Sequence, residues 1–432
     1  MAMVQNRWLL PAVLVTLLPA CAPFIPYRTL VGSGEICDLP NPHTQEVSPQ
    51  CRSAAVENVG DKFEIAYVEF TDQGWLQKRA QLDRAFSLLE KPDPRALQVV
   101  VFIHGWKHSA SADDFDVKHF RNVVVPAFTR NDPETRTVGI YVGWRGESIS
   151  LEGLKELTFY DRKFSAEHVA RGSVRELMSR LRVLRNSAKR GDGSRKVRVI
   201  LVGHSFGGLI LYNAIAESLL DSLVLANYGA PPQHVADPIV DLALVLNPAF
   251  EASRFEPLFQ VAKQRLSKGQ YPQGQRPIFI SITAESDSAT KTFFPLGRAI
   301  NSILEHEGWT DEDCPHNRPE LDRGECPNVD YAARLEKVAN TNTIGHMPRY
   351  RTHFLTMPAH PTSSSNPIVC GVNEESKLIR NRSQFPLWTM FAKGSEVIQG
   401  HHGIYSKALW DFIASLATNP DPGGTVCKAV SE

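Results

Sequence analysis

The pentapeptide Gly203-His204-Ser205-Phe206-Gly207 limits what this chain can fold into more than any other feature of its sequence. It follows the strand-like run 197–202 and precedes a helical pattern that begins near residue 208. A serine between two glycines at such a junction predicts a sharp strand-to-helix turn with a strained serine backbone. Larger side chains at positions 203 and 207 would clash across this turn. The alternative is a glycine-rich structural turn whose serine caps the helix.

Strands alternate with helices along most of the chain. Four continuous apolar runs are typical of parallel strands buried on both faces, at residues 97–103, 137–142, 242–246 and 278–283. Helical periodicity occurs at residues 173–185 and again at residues 409–416. The alternation predicts an α/β fold with a mostly parallel central sheet flanked by helices. Catalytic groups in such sheets gather at the carboxyl ends of the strands, so we expect the site there.

The composition excludes several classes of protein. The chain has 432 residues, of which 42% are hydrophobic. This hydrophobic content is enough to build a large core, so global disorder is excluded. Its 47 Lys and Arg balance 47 Asp and Glu, which argues against nucleic acid as a partner.

We expect one large domain over residues 61–420 and a C-terminal tail at 421–432. Residues 305–350 are interpreted as an insertion and a candidate lid.

The N-terminus has the features of an export signal. Residues 1–7 carry one positive side chain, residues 8–18 form an uncharged apolar run, and small residues follow. We interpret residues 1–21 as a signal peptide that ends in a sequence resembling a bacterial lipoprotein box. A lipid on Cys21 would then anchor the protein to a membrane. The alternative is cleavage after Ala22, which would release a soluble secreted protein.

The rest of the N-terminal segment and the cysteines fit an exported protein. Residues 22–60 are interpreted as a tether, and a polytopic membrane protein is excluded. Proximity in the sequence favours the disulfides Cys37–Cys51 and Cys314–Cys326, which leaves Cys370 to pair with Cys427. The cysteine spacing does not suit zinc. Free thiols are the alternative for some of these residues.

A second motif lies upstream of the first, where the run 99–103 leads into His104-Gly105-Trp106. With both motifs, the chain resembles the α/β-hydrolase superfamily, in particular its serine esterase and lipase branches, over roughly residues 61–420. The resemblance implies an α/β-hydrolase fold with loop insertions and a nucleophile at Ser205. It also implies an oxyanion hole made by the N–H groups of Trp106 and Phe206, with no metal or organic cofactor.

The acid of this superfamily follows the nucleophile, at the carboxyl end of a later strand. The run 242–246 ends in Asn247-Pro248 and offers no adjacent carboxylate. The run 278–283 is followed by Glu285 and Asp287, of which we favour Asp287. Asp suits a turn, and its short side chain can be held rigidly against an imidazole. Glu285 remains the alternative, as does a purely turn-forming role for Asp287.

The base of the superfamily lies between the last strand and the final helix, where this chain has His401 and His402. The preceding glycine favours His401, and His402, His346 and His353 remain alternatives. The resemblance therefore implies an exported serine hydrolase with a Ser205–Asp287–His401 triad that cleaves a small ester or a lipid.

Three other functions stay open. A lipase would need a wide apolar pocket. A thioesterase or amidase would use the same triad on a different leaving group. A non-catalytic envelope protein would keep the fold only for binding.

Overall fold

The computed structural model describes residues 25–44, 47–146, 159–190, 196–229, 234–237, 239–268, 271–272, 274–295, 336–358, 367–371 and 385–418. Its strands are β1 Ile36–Leu39, β2 Val56–Val59, β3 Phe63–Glu69, β4 Leu97–Ile103, β5 Arg136–Gly143, β6 Val197–His204, β7 Leu242–Leu246, β8 Phe279–Ala284, β9 His353–Thr356, β10 Ile368–Gly371 and β11 Leu387–Ala392. Its helices are α1 Pro49–Ser53, α2 Arg79–Leu89, α3 Phe115–His119, α4 Val125–Asn131, α5 Phe159–Arg171, α6 Val174–Arg190, α7 Phe206–Tyr228, α8 Glu256–Lys268 and α9 Lys407–Thr418. A π-helical turn joins α3 to α4.

These strands form one eleven-stranded sheet with the order β1-β2-β3-β5-β4-β6-β7-β8-β11-β9-β10. Neighbouring strands are parallel except at the β2–β3 and β9–β10 pairs. The predicted α/β fold, with a mostly parallel sheet flanked by helices, is therefore confirmed.

The central strand β4 explains how the helices cover both faces of the sheet. All seven of its residues are buried. Val99 and Val101 contact one apolar layer, whereas Val100 and Phe102 contact the other, because successive strand side chains point to opposite faces. Helices α2, α5, α6, α7 and α8 contribute to the first layer, and α3, α4 and α9 contribute to the second. The continuous apolar runs thus correspond to strands that lie between two layers of helices.

The described part of residues 22–60 departs from the tether interpretation. Strands β1 and β2 extend the sheet at one edge. Arg28 is fully buried, its guanidinium pairs with Glu57 at 3.1 Å, and its backbone N–H donates to the Glu69 carboxylate at 2.8 Å. A segment held by a buried ion pair and by sheet hydrogen bonds belongs to the folded domain, so that domain includes residues upstream of 61.

Two cysteines of this segment form a bond. The predicted disulfide Cys37–Cys51 is present and links β1 to α1. Cys370, in β10, is also disulfide-bonded. Its predicted partner Cys427 lies outside the described residues, as does the predicted pair Cys314–Cys326.

Several other predictions fall outside the described residues. These are the signal peptide 1–21 with Cys21, the tail 421–432, and the part of the proposed insertion before residue 336. The described remainder of the insertion lies against the body of the domain. Its Ile344 and Tyr350 are buried in the first apolar layer. Residues 344 and 350 therefore belong to the core of the domain rather than to a lid.

Helix α7 is the one described helix that is long and apolar enough to cross a membrane. Half of that apolar window is buried inside the fold. Leu209, Ile210 and Leu211 all lie in the first apolar layer. We interpret α7 as a core helix of the domain.

Candidate active site

Ser205 occupies the junction between β6 and α7. Its backbone has φ 55° and ψ −119°, a conformation that residues other than glycine rarely adopt. A Cβ on Gly207 would lie 2.0 Å from the Ile103 carbonyl oxygen, and a Cβ on Gly203 would lie 2.4 Å from the Gly207 carbonyl oxygen. Both positions therefore require glycine, and the turn has the sharp, strained geometry that the pentapeptide predicts.

Two side chains from distant parts of the chain reach Ser205 and one another. The Ser205 hydroxyl lies 2.8 Å from Nε2 of His401. The other ring nitrogen of His401, Nδ1, lies 2.8 Å from Oδ2 of Asp287. Asp287 lies just past the end of β8, and His401 lies between β11 and α9. Because these strands are parallel to β6, their carboxyl ends meet at one edge of the sheet, where the structure brings the three residues together.

The carboxylate of Asp287 is buried and fully engaged. It accepts hydrogen bonds from the Ala289 N–H, from the Thr290 N–H and hydroxyl, and from His401. Burial alone would raise the pKa of Asp287, but the hydrogen bond and charge of His401, followed by the Thr290 bonds, hold this pKa below its ordinary value. The carboxylate is therefore ionised at neutral pH and keeps the proton of His401 on Nδ1.

Glu285, the alternative acid, makes a different contact. Its Oε2 accepts a hydrogen bond from the Gly394 N–H at 2.9 Å, and its side chain is exposed. The acid favoured in the sequence analysis is thus the one that faces the imidazole.

The backbone of His401 is held by two residues to which the sequence analysis gave no role. His204 Nε2 donates to the His401 carbonyl at 2.9 Å. Asn247 Nδ2 donates to the carbonyls of Gly400 and His401, at 3.2 Å and 3.0 Å, while its Oδ1 accepts the Ala284 N–H at 2.9 Å. Asn247 therefore connects the loop that carries His401 to the end of β8, the strand that precedes Asp287.

The conformation and charge of these two residues suit that contact. Asn247 has φ 43°, in the left-handed region that Asn tolerates better than most residues. Burial, followed by the charges of His401 and His402, lowers the pKa of His204 well below its ordinary value. His204 is therefore neutral at pH 7, with one ring N–H to donate. The position of Asn247 at the carboxyl end of a predicted strand was the available sequence signal.

The other candidate histidines do not face Ser205. The ring of His402 lies 5.1 Å from that of His401, and its side chain is exposed. His346 donates to the Thr290 hydroxyl at 3.0 Å, and this hydroxyl in turn donates to Asp287. His353 lies in β9 and packs against Trp388 with 4.5 Å between ring centroids. Of these four, His401 is the one within hydrogen-bond distance of Ser205.

Residues 104–106 lie against Ser205 from the side of β4. A Cβ on Gly105 would lie 2.9 Å from Ser205 Cβ, so this close approach depends on glycine. Trp106 contacts the ring of Phe159 edge-on at 5.4 Å, and Phe159 contacts Phe206 at 4.9 Å. The three rings form an aromatic cluster next to Ser205. The oxyanion-hole role of the Trp106 and Phe206 N–H groups stays a prediction.

The arrangement can move a proton. An imidazole within 2.8 Å of a hydroxyl can take its proton as the oxygen attacks, and an ionised carboxylate behind it stabilises the imidazolium. Among the residues that the structure describes, one group of potential metal ligands occurs, and it consists of His108, Asp114 and Asp116 rather than these three side chains.

Comparison with known families identifies the chain. A model of the Alpha/beta hydrolase family matches residues 100–360. The chain belongs to this family. The match includes Ser205 and Asp287 and ends before His401. It confirms the fold and supports a hydrolase as the class of the protein, whereas no curated protein matches the chain.

Some solved structures are similar to parts of this hydrolase. One is the siderophore hydrolase EstB from Aspergillus nidulans, with 12% identity, 76% of this chain and 84% of that chain covered, and a TM-score of 0.29. Another is Est1E from Butyrivibrio proteoclasticus, with 13% identity, coverage of 46% and 72%, and a TM-score of 0.19. A third is the phospholipase PlaB from Legionella pneumophila, with 15% identity, coverage of 63% and 49%, and a TM-score of 0.24. Likenesses this distant do not extend to the substrate.

Proposed function

We propose that this protein is a serine hydrolase that cleaves carboxylic esters through a covalent acyl-enzyme. The observation that supports this is the continuous chain from the Ser205 hydroxyl through His401 to Asp287, with both links at 2.8 Å. The strained backbone of Ser205 supports it as well, because such strain is common at active sites and lifts the hydroxyl out of the sheet edge.

In the proposed mechanism, His401 takes the proton of Ser205 as its oxygen attacks the ester carbonyl. Asp287 orients the imidazole and stabilises its cation. The N–H groups of Trp106 and Phe206 donate to the oxygen that becomes negative in the tetrahedral intermediate. His401 then protonates the leaving alcohol. In the second half of the cycle His401 takes a proton from water as the water attacks the acyl-enzyme, and it returns this proton to the Ser205 oxygen when the bond to the acyl group breaks and the acid leaves. Every proton in this cycle passes through residues of the chain or through water.

We further propose that the substrate is a small ester or a lipid and that the enzyme works outside the cytoplasm. The disulfide Cys37–Cys51 supports export, because disulfides persist in oxidising compartments. Lipidation of Cys21 would hold the enzyme at a membrane surface, where lipid substrates are concentrated. Incorporation of a radiolabelled fatty acid into the wild-type chain, and its loss in Cys21→Ser, would test the anchor.

Hydrolysis of p-nitrophenyl butyrate tests the proposed activity. The purified wild-type chain should turn over this ester, and Ser205→Ala should lower kcat by about 10⁴-fold or more. Ser87→Ala removes an exposed hydroxyl on α2 and should leave the rate unchanged. Turnover that persists in a folded Ser205→Ala protein would contradict the proposal. So would a folded wild-type chain that is inactive on butyrate, octanoate and palmitate esters alike.

A further inference from the structure

The carboxylate of Asp287 has a second polar side chain in contact with it besides His401. The Thr290 hydroxyl lies 2.6 Å from Asp287 Oδ2, the same oxygen that faces Nδ1 of His401. Thr290 is 1% exposed, and its hydroxyl also lies 3.0 Å from Nε2 of His346. The proposed mechanism gives neither Thr290 nor His346 a role.

The hydrogen bonds among these side chains can run in one direction only. A hydroxyl has one proton to donate, and an ionised carboxylate can only accept. Thr290 therefore donates to Asp287, and the distance of 2.6 Å is typical of a hydroxyl bound to a charged oxygen. The Thr290 oxygen must then accept the Nε2–H of His346. Burial lowers the pKa of His346 to about 4, although the charge of Asp287 opposes this shift, so this imidazole is neutral at pH 7.

His346 is held in place by a close contact between its own segment and the sheet. It ends a short 3₁₀-helical turn, Ile344–His346, that packs against β8 and β11. A Cβ on Gly345 would lie 2.0 Å from Oγ1 of Thr283, so the turn approaches β8 as closely as glycine allows. The segment that the sequence analysis interpreted as part of an insertion thus brings a second imidazole to the acid of the site.

We propose that Thr290 and His346 are positioning residues of the proposed serine hydrolase, on whose activity this inference rests. Thr290 fixes the Asp287 oxygen that binds His401. His346 in turn fixes the rotation of the Thr290 hydroxyl. A carboxylate that cannot rotate keeps the imidazole of His401 aligned with Ser205, and a small misplacement of that ring would slow proton transfer. Neither Thr290 nor His346 contacts Ser205, so their loss should change kcat more than KM.

Substitutions at position 290 test the hydroxyl alone. Thr290→Val keeps the shape of the side chain and should lower kcat for p-nitrophenyl butyrate by about tenfold, with little change in KM. Thr290→Ser returns a hydroxyl and should recover most of that loss. Thr129→Val is the matched control, because it removes a hydroxyl on α4 that donates to the Val125 carbonyl, and it should leave kcat unchanged.

Double variants test whether His346 acts through Thr290 and Thr290 through Asp287. His346→Leu should lower kcat by about fivefold, whereas His346→Gln, whose amide can replace the Nε2 donor, should lose less. His346→Leu should have no further effect in Thr290→Val, and Thr290→Val should have none in Asp287→Ala, because the carboxylate it supports is gone. A loss as large in Asp287→Ala as in the wild type would reflect general damage to the fold and would overturn the proposal.

Proton NMR in the downfield region follows the imidazole of His401 without any substrate. Its Nδ1 proton, which is hydrogen-bonded to a buried carboxylate, should give a signal that His401→Ala removes. Thr290→Val should shift or broaden this signal, and Thr129→Val should leave it unchanged.

The two measurements separate this proposal from the proposed activity. In an active enzyme, a folded Thr290→Val protein with the wild-type kcat would overturn the positioning role, and so would an unchanged His401 signal. An inactive wild-type chain whose His401 signal still responds to Thr290→Val would instead contradict the proposed ester hydrolysis and would support the positioning role.

Discussion

At the scale of single residues, the proposed chemistry depends on the hydrogen bonds that fix the side chains of Asp287 and His401. The Asp287 carboxylate is surrounded by donors and stays ionised, so it can keep the imidazole of His401 in one tautomer and one orientation. The next residue, His402, has the same side chain but lies exposed beside it. Two adjacent histidines thus provide a matched pair for testing which imidazole acts as the base.

His401→Ala should lower kcat for p-nitrophenyl butyrate by about 10⁴-fold, because among the described residues His401 is the one whose side chain lies within hydrogen-bond distance of the Ser205 hydroxyl. His402→Ala should keep most of the activity, since its ring contacts His401 and His108 without reaching the hydroxyl. Circular dichroism would verify that both variants fold. The opposite pattern of activities would mean that His402 is the base.

At the scale of elements, the turn between β6 and α7 is defined by close backbone contacts. Gly207→Ala should destabilise the protein by about 3 kcal/mol or more, because its Cβ would meet the Ile103 carbonyl at 2.0 Å. Gly208→Ala is the control, since its nearest contact is the Pro248 side chain at 3.3 Å and Ala favours the helix. Urea unfolding measures both, and similar stabilities for the two variants would contradict this account.

The contact between β7 and the His401 loop gives a second prediction at this scale. Asn247→Ala should lower kcat by about 10-fold to 100-fold with little change in KM, because it frees the backbone that positions His401. Asn247→Asp keeps the acceptor for the Ala284 N–H but loses the donor to both carbonyls, so it should not restore kcat. If kcat stays normal in a folded Asn247→Ala protein, the contact does not position the base.

The elements also show what the sequence could and could not reveal. Long strands such as β4 were predictable because their local apolar pattern is unbroken. The four-residue strands β1, β2 and β10, which lie at or next to the edges of the sheet, were missed, because strands this short form only when a neighbour supplies their hydrogen bonds.

Within the site, too, features with a local sequence pattern were predictable and features that depend on contacts between distant segments were not. Ser205 could be located from a local pattern, and Asp287 and His401 from their order and position in a family. The support from His204 and Asn247 could not, since it exists only where three separate strand ends meet in space.

At the scale of the whole molecule, the N-terminal segment is joined to the sheet rather than loosely attached. The Cys37–Cys51 disulfide spans a sequence separation of 14, so removing it should cost about 3 kcal/mol of unfolding free energy. The Cys37→Ser/Cys51→Ser variant, measured by urea unfolding beside the wild type, would show this. Equal stability would mean that the buried Arg28–Glu57 pair and the strands β1 and β2 hold the segment without the disulfide.

Labelling with a fluorophosphonate tests the central claim most directly. An activated serine hydroxyl displaces fluoride from this reagent and keeps the phosphonyl group, so mass spectrometry identifies the nucleophile without knowledge of the natural substrate. We expect one adduct, on the peptide that contains Ser205, with none in Ser205→Ala and much slower labelling in His401→Ala. A folded wild-type chain that remains unlabelled, or an adduct that persists in Ser205→Ala, would contradict the account.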